Sequence, residues 1–443
     1  MWDICDRDDI AKHKVCYKIL RSIKNNERKN MNSWKKQFGA VAVSQAFTLL
    51  GSAAVQFAVI WWLTIETGSA VTLALATIAA FVPNMLLGPF AGVWIDRYNR
   101  RTVMIAADIL VAVSSTILGV AFFVAGSPPL WFVFMILTLR GLGMMFHTPA
   151  MQAAVPMLVP TEMLTKAGGW ASMINSLASM LGPVLGATLM NLLPVAYVML
   201  IDILGATFAI VCLLFVKIPD IPQSGEKVRL ISDMKQGLAA MRKNKPLVAL
   251  FPSNIAMNIL LMPLMSLFPL LVRTHFAGTA WHNGAAEVLF AGGLLASSII
   301  IGVWGGMKKR FLMAMLAIAL AGIASTLSGL PGQSFWIFLI CCLLMGGAGT
   351  FIQVPCMAYI QETIAPQMMG KVFALLMTAM TWSMPFGLLI AGPISESIGV
   401  SWWFVWSGIG LVTIAVAGRL MTRKHDAQTS LPGKTNEACE LTE

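Results

Sequence analysis

At 443 residues the chain has the length of two or three soluble domains, but 57% hydrophobic and 12% charged residues do not suit water. Soluble domains carry about 25% charged residues, so a chain with half that share and a mean hydropathy of +0.76 must turn most of its surface to lipid. The composition also excludes a disordered, collagenous or disulfide-stapled chain: Cys212, Cys341, Cys342 and Cys356 lie inside apolar runs, and no Cys-x-x-Cys pair offers a metal site. A net charge of +11 would suggest nucleic acid in a soluble protein; here it follows from basic cytoplasmic loops, and no nucleic-acid partner is expected.

Residues 1–36 carry ten Lys or Arg and no apolar stretch of signal-peptide length, which predicts a cytoplasmic basic tail. The spanning length of roughly 20 apolar residues is then met twelve times, near 38–64, 72–95, 102–125, 130–151, 168–192, 195–217, 246–272, 284–305, 311–330, 334–356, 370–394 and 399–420. With both termini inside, 29 of the 31 Lys and Arg fall in the tails and the loops from even to odd spans, leaving Arg140 in span 4 and Arg273 at the outer end of span 7. Trp61, Trp62, Trp131, Trp402 and Trp403 then gather at the outer interface, where amphipathic rings sit. The domains follow: a six-span bundle over 37–217, a linker over 218–245, a second bundle over 246–420 and a tail over 421–443. In the linker, Leu230, Ile231, Met234, Leu238 and Met241 recur among basic residues, as in an amphipathic helix on the inner membrane surface; a plain solvated linker reads equally well.

The two bundles repeat one another. Gly92-Val-Trp-Ile-Asp-Arg-Tyr-Asn-Arg-Arg101 after span 2 is matched by Gly302-Val-Trp-Gly-Gly-Met-Lys-Lys-Arg310 after span 8, and Pro149, Met151 and Pro160 by Pro355, Met357 and Pro366. Matching halves joined by a long linker are the parallel-repeat plan of many secondary transporters. Asp108-Ile-Leu in span 3 and Asp202-Ile-Leu in span 6 hint at a further inverted repeat within the first half.

The segment Gly92 to Arg101 resembles the signature loop of the major facilitator superfamily, with Asn99 where that family usually has Gly. From Met31 to about Arg423 the chain is similar to the drug-efflux branch that includes bacterial macrolide-efflux proteins, through Thr67-Gly-Ser-Ala70, Phe146-His-Thr-Pro-Ala150 and Leu158-Val-Pro-Thr-Glu162. Leu181-Gly-Pro-Val-Leu-Gly186 partly resembles the antiporter motif of exporters; its physical content is a stripe of small residues, Ala178, Gly182 and Gly186, that lets another helix approach, with Pro183 bending the span. The resemblance implies an all-α fold of two six-helix bundles, proton-linked antiport, and a central cavity lined by spans 1, 4, 7 and 10. It also implies that Asp96 contacts span 11, which begins near Gly370 and Lys371. A carboxylate at a helix N-terminus meets unpaired N–H groups, so Gly92, Asp96, Arg97, Arg100 and Arg101 form a candidate inner gate.

Polar residues inside the spans supply the site candidates. Ser44, Thr48, Ser52 and Gln56 share one face of span 1, and Asn254, Asn258, Met262 and Ser266 one face of span 7; lipid would penalise both, so cavity lining or interhelical hydrogen bonding is expected. Met144, with Met145 and Phe146, adds adaptable apolar surface. Arg140 lies ten residues into span 4, about 15 Å deep, and demands an acid. Asp108 is its first candidate partner and Asp202 the next, as a proton-coupling element or a structural salt bridge. Glu66 and Glu287 read as solvated caps at outer ends, and His147 as a local hydrogen-bond partner. Gly433-Lys-Thr435 lacks the rest of a phosphate loop, and no catalytic motif appears. With these features, the resemblance implies a monomeric, cofactor-free and metal-free exporter in a bacterial plasma membrane, taking bulky amphiphilic drugs of the macrolide type against protons. A lipid or lysophospholipid transporter on the same fold is the alternative, and a non-transporting sensor is disfavoured.

Overall fold

The computed structural model describes residues 7–160, 163–216, 238–239, 245–307, 309–364 and 366–429. The chain is built from α1 (Arg7–Thr67), α2 (Ala70–Arg97), α3 (Arg100–Ala125), α4 (Leu130–Leu158), α5 (Leu164–Leu192), α6 (Val195–Leu214), α7 (Lys245–Thr274), α8 (Ala280–Trp304), α9 (Arg310–Gly329), α10 (Phe335–Thr363), α11 (Pro366–Ile398) and α12 (Val400–Thr429). Each contains a stretch long and apolar enough to cross a membrane, Gln37–Thr67 in α1 and Asn254–Thr274 in α7 among them. Helix α1 extends into the basic tail, where residues 7–36 contain neither Gly nor Pro to end it. The expected linker helix lies outside the described residues, apart from Leu238 and Ala239.

The helix ends follow local chemistry. Ser69 precedes α2 and its hydroxyl accepts from the Thr72 N–H at 3.2 Å. Asn99 caps α3, accepting from the Arg101 N–H at 2.9 Å with φ of −59°; a capping carboxamide explains why glycine is not needed here. Pro129 and Pro194 stand immediately before α4 and α6.

Packing mirrors the repeat. In the first half α1 lies against α5 and α6, α4 against α2 and α3, and α3 against α6; in the second, α7 lies against α11 and α12, α10 against α8 and α9, and α9 against α12. The halves meet through α5 with α8 and α2 with α11, an exchange consistent with pseudo-twofold symmetry. The start of α1, the end of α12 and the α2–α3 and α8–α9 turns share one end of the molecule, here the basic end; the α1–α2, α5–α6 and α11–α12 turns lie at the far end. One apolar core runs across both halves toward the far end, joining Val55, Leu73 and Val198 to Phe268, Phe338 and Ala391. At the basic end the core divides into a cluster around Phe38, Met104 and Val155 in the first half and another around Ile360, Val372 and Leu376 in the second.

Candidate functional site

At the basic end a cavity of about 670 Å³ lies between α1, α4 and α5 of the first half. Gln45, Gln152, Asn175, Ser172 and Thr148 give it amides and hydroxyls, Phe38, Met151, Val155 and Ile174 give it apolar wall, and no charged side chain lines it among the described residues. Gln45 is 7% exposed and its Oε1 has no hydrogen-bond partner. A groove beside it, sharing Phe38, is formed by Trp34, Gly39, Met163, Ala167 and Trp170 with Lys166 at its edge. Such a chamber offers a large ligand apolar contact and scattered hydrogen bonds without demanding a charge.

The expected face of α1 lies one residue away from this cavity. Ser44 donates to Val41 O of its own helix at 2.8 Å, Thr48 is buried beside α6, where a Cβ on Gly205 would stand 3.8 Å from its Cα, and Ser52 donates to Asp202 Oδ1 at 2.7 Å. A step of one residue rotates a helix by about 100°, which separates Gln45 from that face. Gln56 is half-buried. On α7, Asn258 is buried and its amide donates to Asn254 O at 2.9 Å and Asn254 Oδ1 at 3.1 Å, while Met262 and Ser266 are half-buried, as is Met144 on α4. None of these residues lines the cavity between α1, α4 and α5.

Arg140 is buried, and its partner is Asp202 of α6, not Asp108. Its guanidinium donates to Asp202 Oδ2 and to Ser115 Oγ. Ser115 donates to Asp202 Oδ2 at 2.7 Å, and Ser52 holds the other carboxylate oxygen. Four helices, α1, α3, α4 and α6, thus converge on one buried ionic knot. The register of the antiparallel α3 and α4 explains the correction: Ser115 lies opposite Arg140, and Asp108 lies seven residues earlier on α3, about 10 Å away, opposite His147. His147 Nε2 stands 3.3 Å from Asp108 Oδ1, with both side chains almost wholly buried. His147 is therefore a local partner as expected, but its partner is the acid assigned to Arg140.

Other residues also depart from expectation. Glu287 is no cap: α8 starts at Ala280, where the backbone N–H of Thr279 donates to His282 Nδ1 at 3.1 Å, and Glu287 sits two turns inside, accepting from Asn283 Nδ2 at 2.8 Å. Glu66 is exposed and accepts from Ser127 Oγ at 2.7 Å, as a terminal acid should. In the signature loop, Arg101 donates to Leu214 O at 2.7 Å, closing an orphan carbonyl at the end of α6, and Arg100 meets Met157 Sδ at 2.9 Å. The side chains of Asp96, Arg97 and Lys371 lie outside the described ones, as does Gly92. Gly182 and Gly186 pack α5 against α1: a Cβ on Gly186 would lie 2.7 Å from Ala54 O, while the Pro183 carbonyl turns to Gly284 of α8. Sequence reasoning missed Ser115, Gln45 and Glu396. Glu396 ends α11 at the far end, where its Oε2 accepts from Ser69 Oγ at 3.0 Å and from the Val71 N–H at 3.2 Å across the two halves.

Comparison with known proteins agrees with this architecture. Residues 41–387 match the family model of the Major Facilitator Superfamily. The chain is 36% identical to Macrolide efflux protein A of Streptococcus pyogenes over 391 residues, 87% of this chain and 96% of that one. Among solved structures, it superposes with a TM-score of 0.68 and 12% identity on a bacterial homolog of the human lysosomal transporter Spinster in an inward-facing, unoccupied conformation, covering 90% of this chain and 99% of that one. A bacterial homologue of the iron transporter ferroportin in an inward-facing state gives a TM-score of 0.66 at 16% identity, covering 87% and 98%.

Proposed function

Since the chain belongs to the Major Facilitator Superfamily it is a membrane transporter, and we propose that it exports bulky amphiphilic drugs of the macrolide type by proton-coupled antiport with alternating access. The observation that carries this reading is the uncharged cavity between α1, α4 and α5, taken with the similarity to a macrolide efflux protein. A macrolide is a large, largely apolar ring bearing hydroxyls and sugars; Gln45, Gln152 and Asn175 supply hydrogen bonds at scattered points while Phe38, Met151 and Val155 take the apolar faces. Asn254, Asn258, Met262 and Ser266 of α7 complete the opposing wall when the halves close, with Met144 further along α4 on the near side. We place the basic end in the cytoplasm of a bacterial cell, by the excess of Lys and Arg there, so that the cavity loads from inside. Asp108, Arg140 and Asp202 are the groups considered for proton coupling, and Gly92, Asp96, Arg97, Arg100 and Arg101 form the inner gate, closed only when α2 and α11 approach at that end.

Expression in a drug-sensitive bacterium lowers the steady-state level of radiolabelled erythromycin, and a protonophore restores it. Equal accumulation with and without the chain, across several drug classes, would overturn export; a difference that survives the protonophore would overturn coupling to protons. The groove of Trp34, Trp170 and Lys166 beside the cavity favours a second reading, transport of a lipid or lysophospholipid: interfacial tryptophans and one cation suit a headgroup. Movement of labelled lysophospholipid, and not of macrolide, in reconstituted vesicles would establish it.

A further inference from the structure

We infer that the buried pair of Asp108 and His147 holds the transported proton. The inference rests on the proton-coupled reading above and narrows it to one pair joining α3 to α4. Asp108 is 1% and His147 2% exposed, with Nε2 3.3 Å from Oδ1. A tight charge-assisted hydrogen bond is about 2.7–2.9 Å, so this contact is loose. The remaining atoms of the pair, Asp108 Oδ2 and His147 Nδ1, have no hydrogen-bond partner. A structural ion pair in an apolar interior is expected to have its lone pairs and N–H groups met.

Two turns away the other buried acid is closed on every side. Asp202 has one oxygen held by Ser52 and the other by Ser115 and Arg140. Protonating Asp202 would strand a guanidinium that cannot itself give up a proton. Adding one proton to the Asp108–His147 pair strands nothing. With the imidazole neutral, its one N–H on Nε2 toward Asp108, and the carboxylate ionised, the pair carries one negative charge; one proton, taken from water onto the unpartnered His147 Nδ1 or Asp108 Oδ2, makes it neutral, and its return to water restores the charge. A loaded pair therefore survives sealing from water, and an empty pair favours a state in which water reaches it. Sealing and opening are the two half-reactions of a transporter.

The cavity lies at the same depth along α4, on the next face of the helix. Thr148 follows His147 on α4 and lines the cavity together with Gln45, whose Oε1 is likewise unpartnered. Among the described side chains on the helices packed around α3 and α4, Arg140 and Asp202 satisfy each other, and Arg100 and Arg101 engage Met157 and Leu214. Tyr98 and Lys166 stand at the basic end, Glu66 and Tyr197 at the far end, and Cys212 near the end of α6. None of them makes an ion pair with Asp108 or His147 among the contacts described.

The test uses the full chain in liposomes with an imposed pH gradient, measuring uphill movement of erythromycin, drug-driven pH change by an internal dye, and drug counterflow without a gradient. Asp108→Asn and His147→Gln are expected to lose gradient-driven uphill transport and the pH change while keeping counterflow, because the drug cavity is intact. Infrared difference spectra on drug addition should contain a protonation change of a carboxyl group in the parent that Asp108→Asn lacks. If both variants sustain uphill transport with the parental pH profile, the assignment is overturned. Should Asp108→Asn fail to fold, His147→Gln decides by its pH profile: the amide keeps a hydrogen bond to Asp108 but cannot share the proton, so uphill transport with the parental pH profile overturns the assignment. A parent that moves drug with no pH change at all overturns proton coupling itself, an outcome distinct from variants that behave like a coupled parent.

Discussion

Arg140 announces its requirement from sequence alone, because a guanidinium some ten residues inside an apolar span has no water to meet it. Which acid answers is decided by three-dimensional register. Asp108 and Asp202 have the same two following residues, and only the alignment of α3 against α4, with α6 alongside, puts Ser115 and Asp202 opposite the arginine. No local pattern carries that alignment, and the serines that complete the knot are indistinguishable in sequence from serines hydrogen-bonded to their own helix, such as Ser114. Arg140→Ala should leave Asp202 as an unpaired buried charge and cost about 3–5 kcal/mol, as breaking one side of a dry ion pair does. Arg140→Ala combined with Asp202→Asn should recover part of that loss, and with Asp108→Asn should not. The measurement is thermal stability of the purified variants in detergent; strict additivity of Arg140→Ala with Asp202→Asn would remove the knot as an energetic unit.

Helices were legible individually, their ends at the basic side less so: α1 begins at Arg7 and α4 runs on to Leu158, because a span is marked by its apolar run and the helix continues beyond it. Twelve apolar runs are each a local property of the chain, and all twelve appear as helices. The stripe Gly182 and Gly186 was legible as a close-approach surface, and its neighbour is α1 through Ala53, Ala54 and Phe57, with α8 meeting the same helix at Pro183 and Ala187. Sequence could not choose between these neighbours, because a small-residue stripe states a distance and not a partner. The same physics that made Asp96 a candidate inner latch operates in full view at the far end. Glu396, in the last turn of α11, accepts from the Val71 N–H and the capping serine hydroxyl of α2, where the helix dipole favours a negative charge by roughly 0.3–1 kcal/mol at an exposed site. The contact joins opposite halves, so the proposed alternating access would break it whenever the far end opens. Glu396→Gln should shift the resting equilibrium toward opening there, read as faster labelling by an impermeant maleimide of a cysteine placed at Gly392 in an otherwise cysteine-free chain. Labelling at the parental rate would assign Glu396 to surface packing.

The two halves share a plan but not a chemistry, and the difference sits at matching positions. Ser115 and Asp202 are followed 210 and 205 residues later by Ser325 and Ser407, close to the repeat offset, and there the knot is neutral: Ser325 donates to Phe404 O at 2.8 Å and lies 3.4 Å from Ser407. Ionic chemistry of the knot therefore belongs to the first half. The pseudo-symmetry was legible because the basic turns and paired prolines repeat; the asymmetry was not, because it lies in which polar atoms meet across helices. The state of the whole molecule follows from how the core is divided, continuous across the halves toward the far end and split in two at the basic end. Alternating access requires that the far end part during each cycle. Gly392 and Ala74 provide a direct lock, since a Cβ on Gly392 would stand 3.2 Å from Ala74 Cβ, near the roughly 3.5–4.5 Å span of a disulfide. In a chain whose seven cysteines are replaced, Ala74→Cys with Gly392→Cys should oxidise readily. The bridge would hold the far end shut, abolish drug transport and leave a probe cysteine at Ser172, which lines the cavity, open to reagents from the basic end. Reduction should restore transport, because the bridge adds nothing else to the protein. If the oxidised protein moves drug at the rate of the reduced one, the halves need not separate at the far end, and a rocking mechanism about the continuous core is excluded.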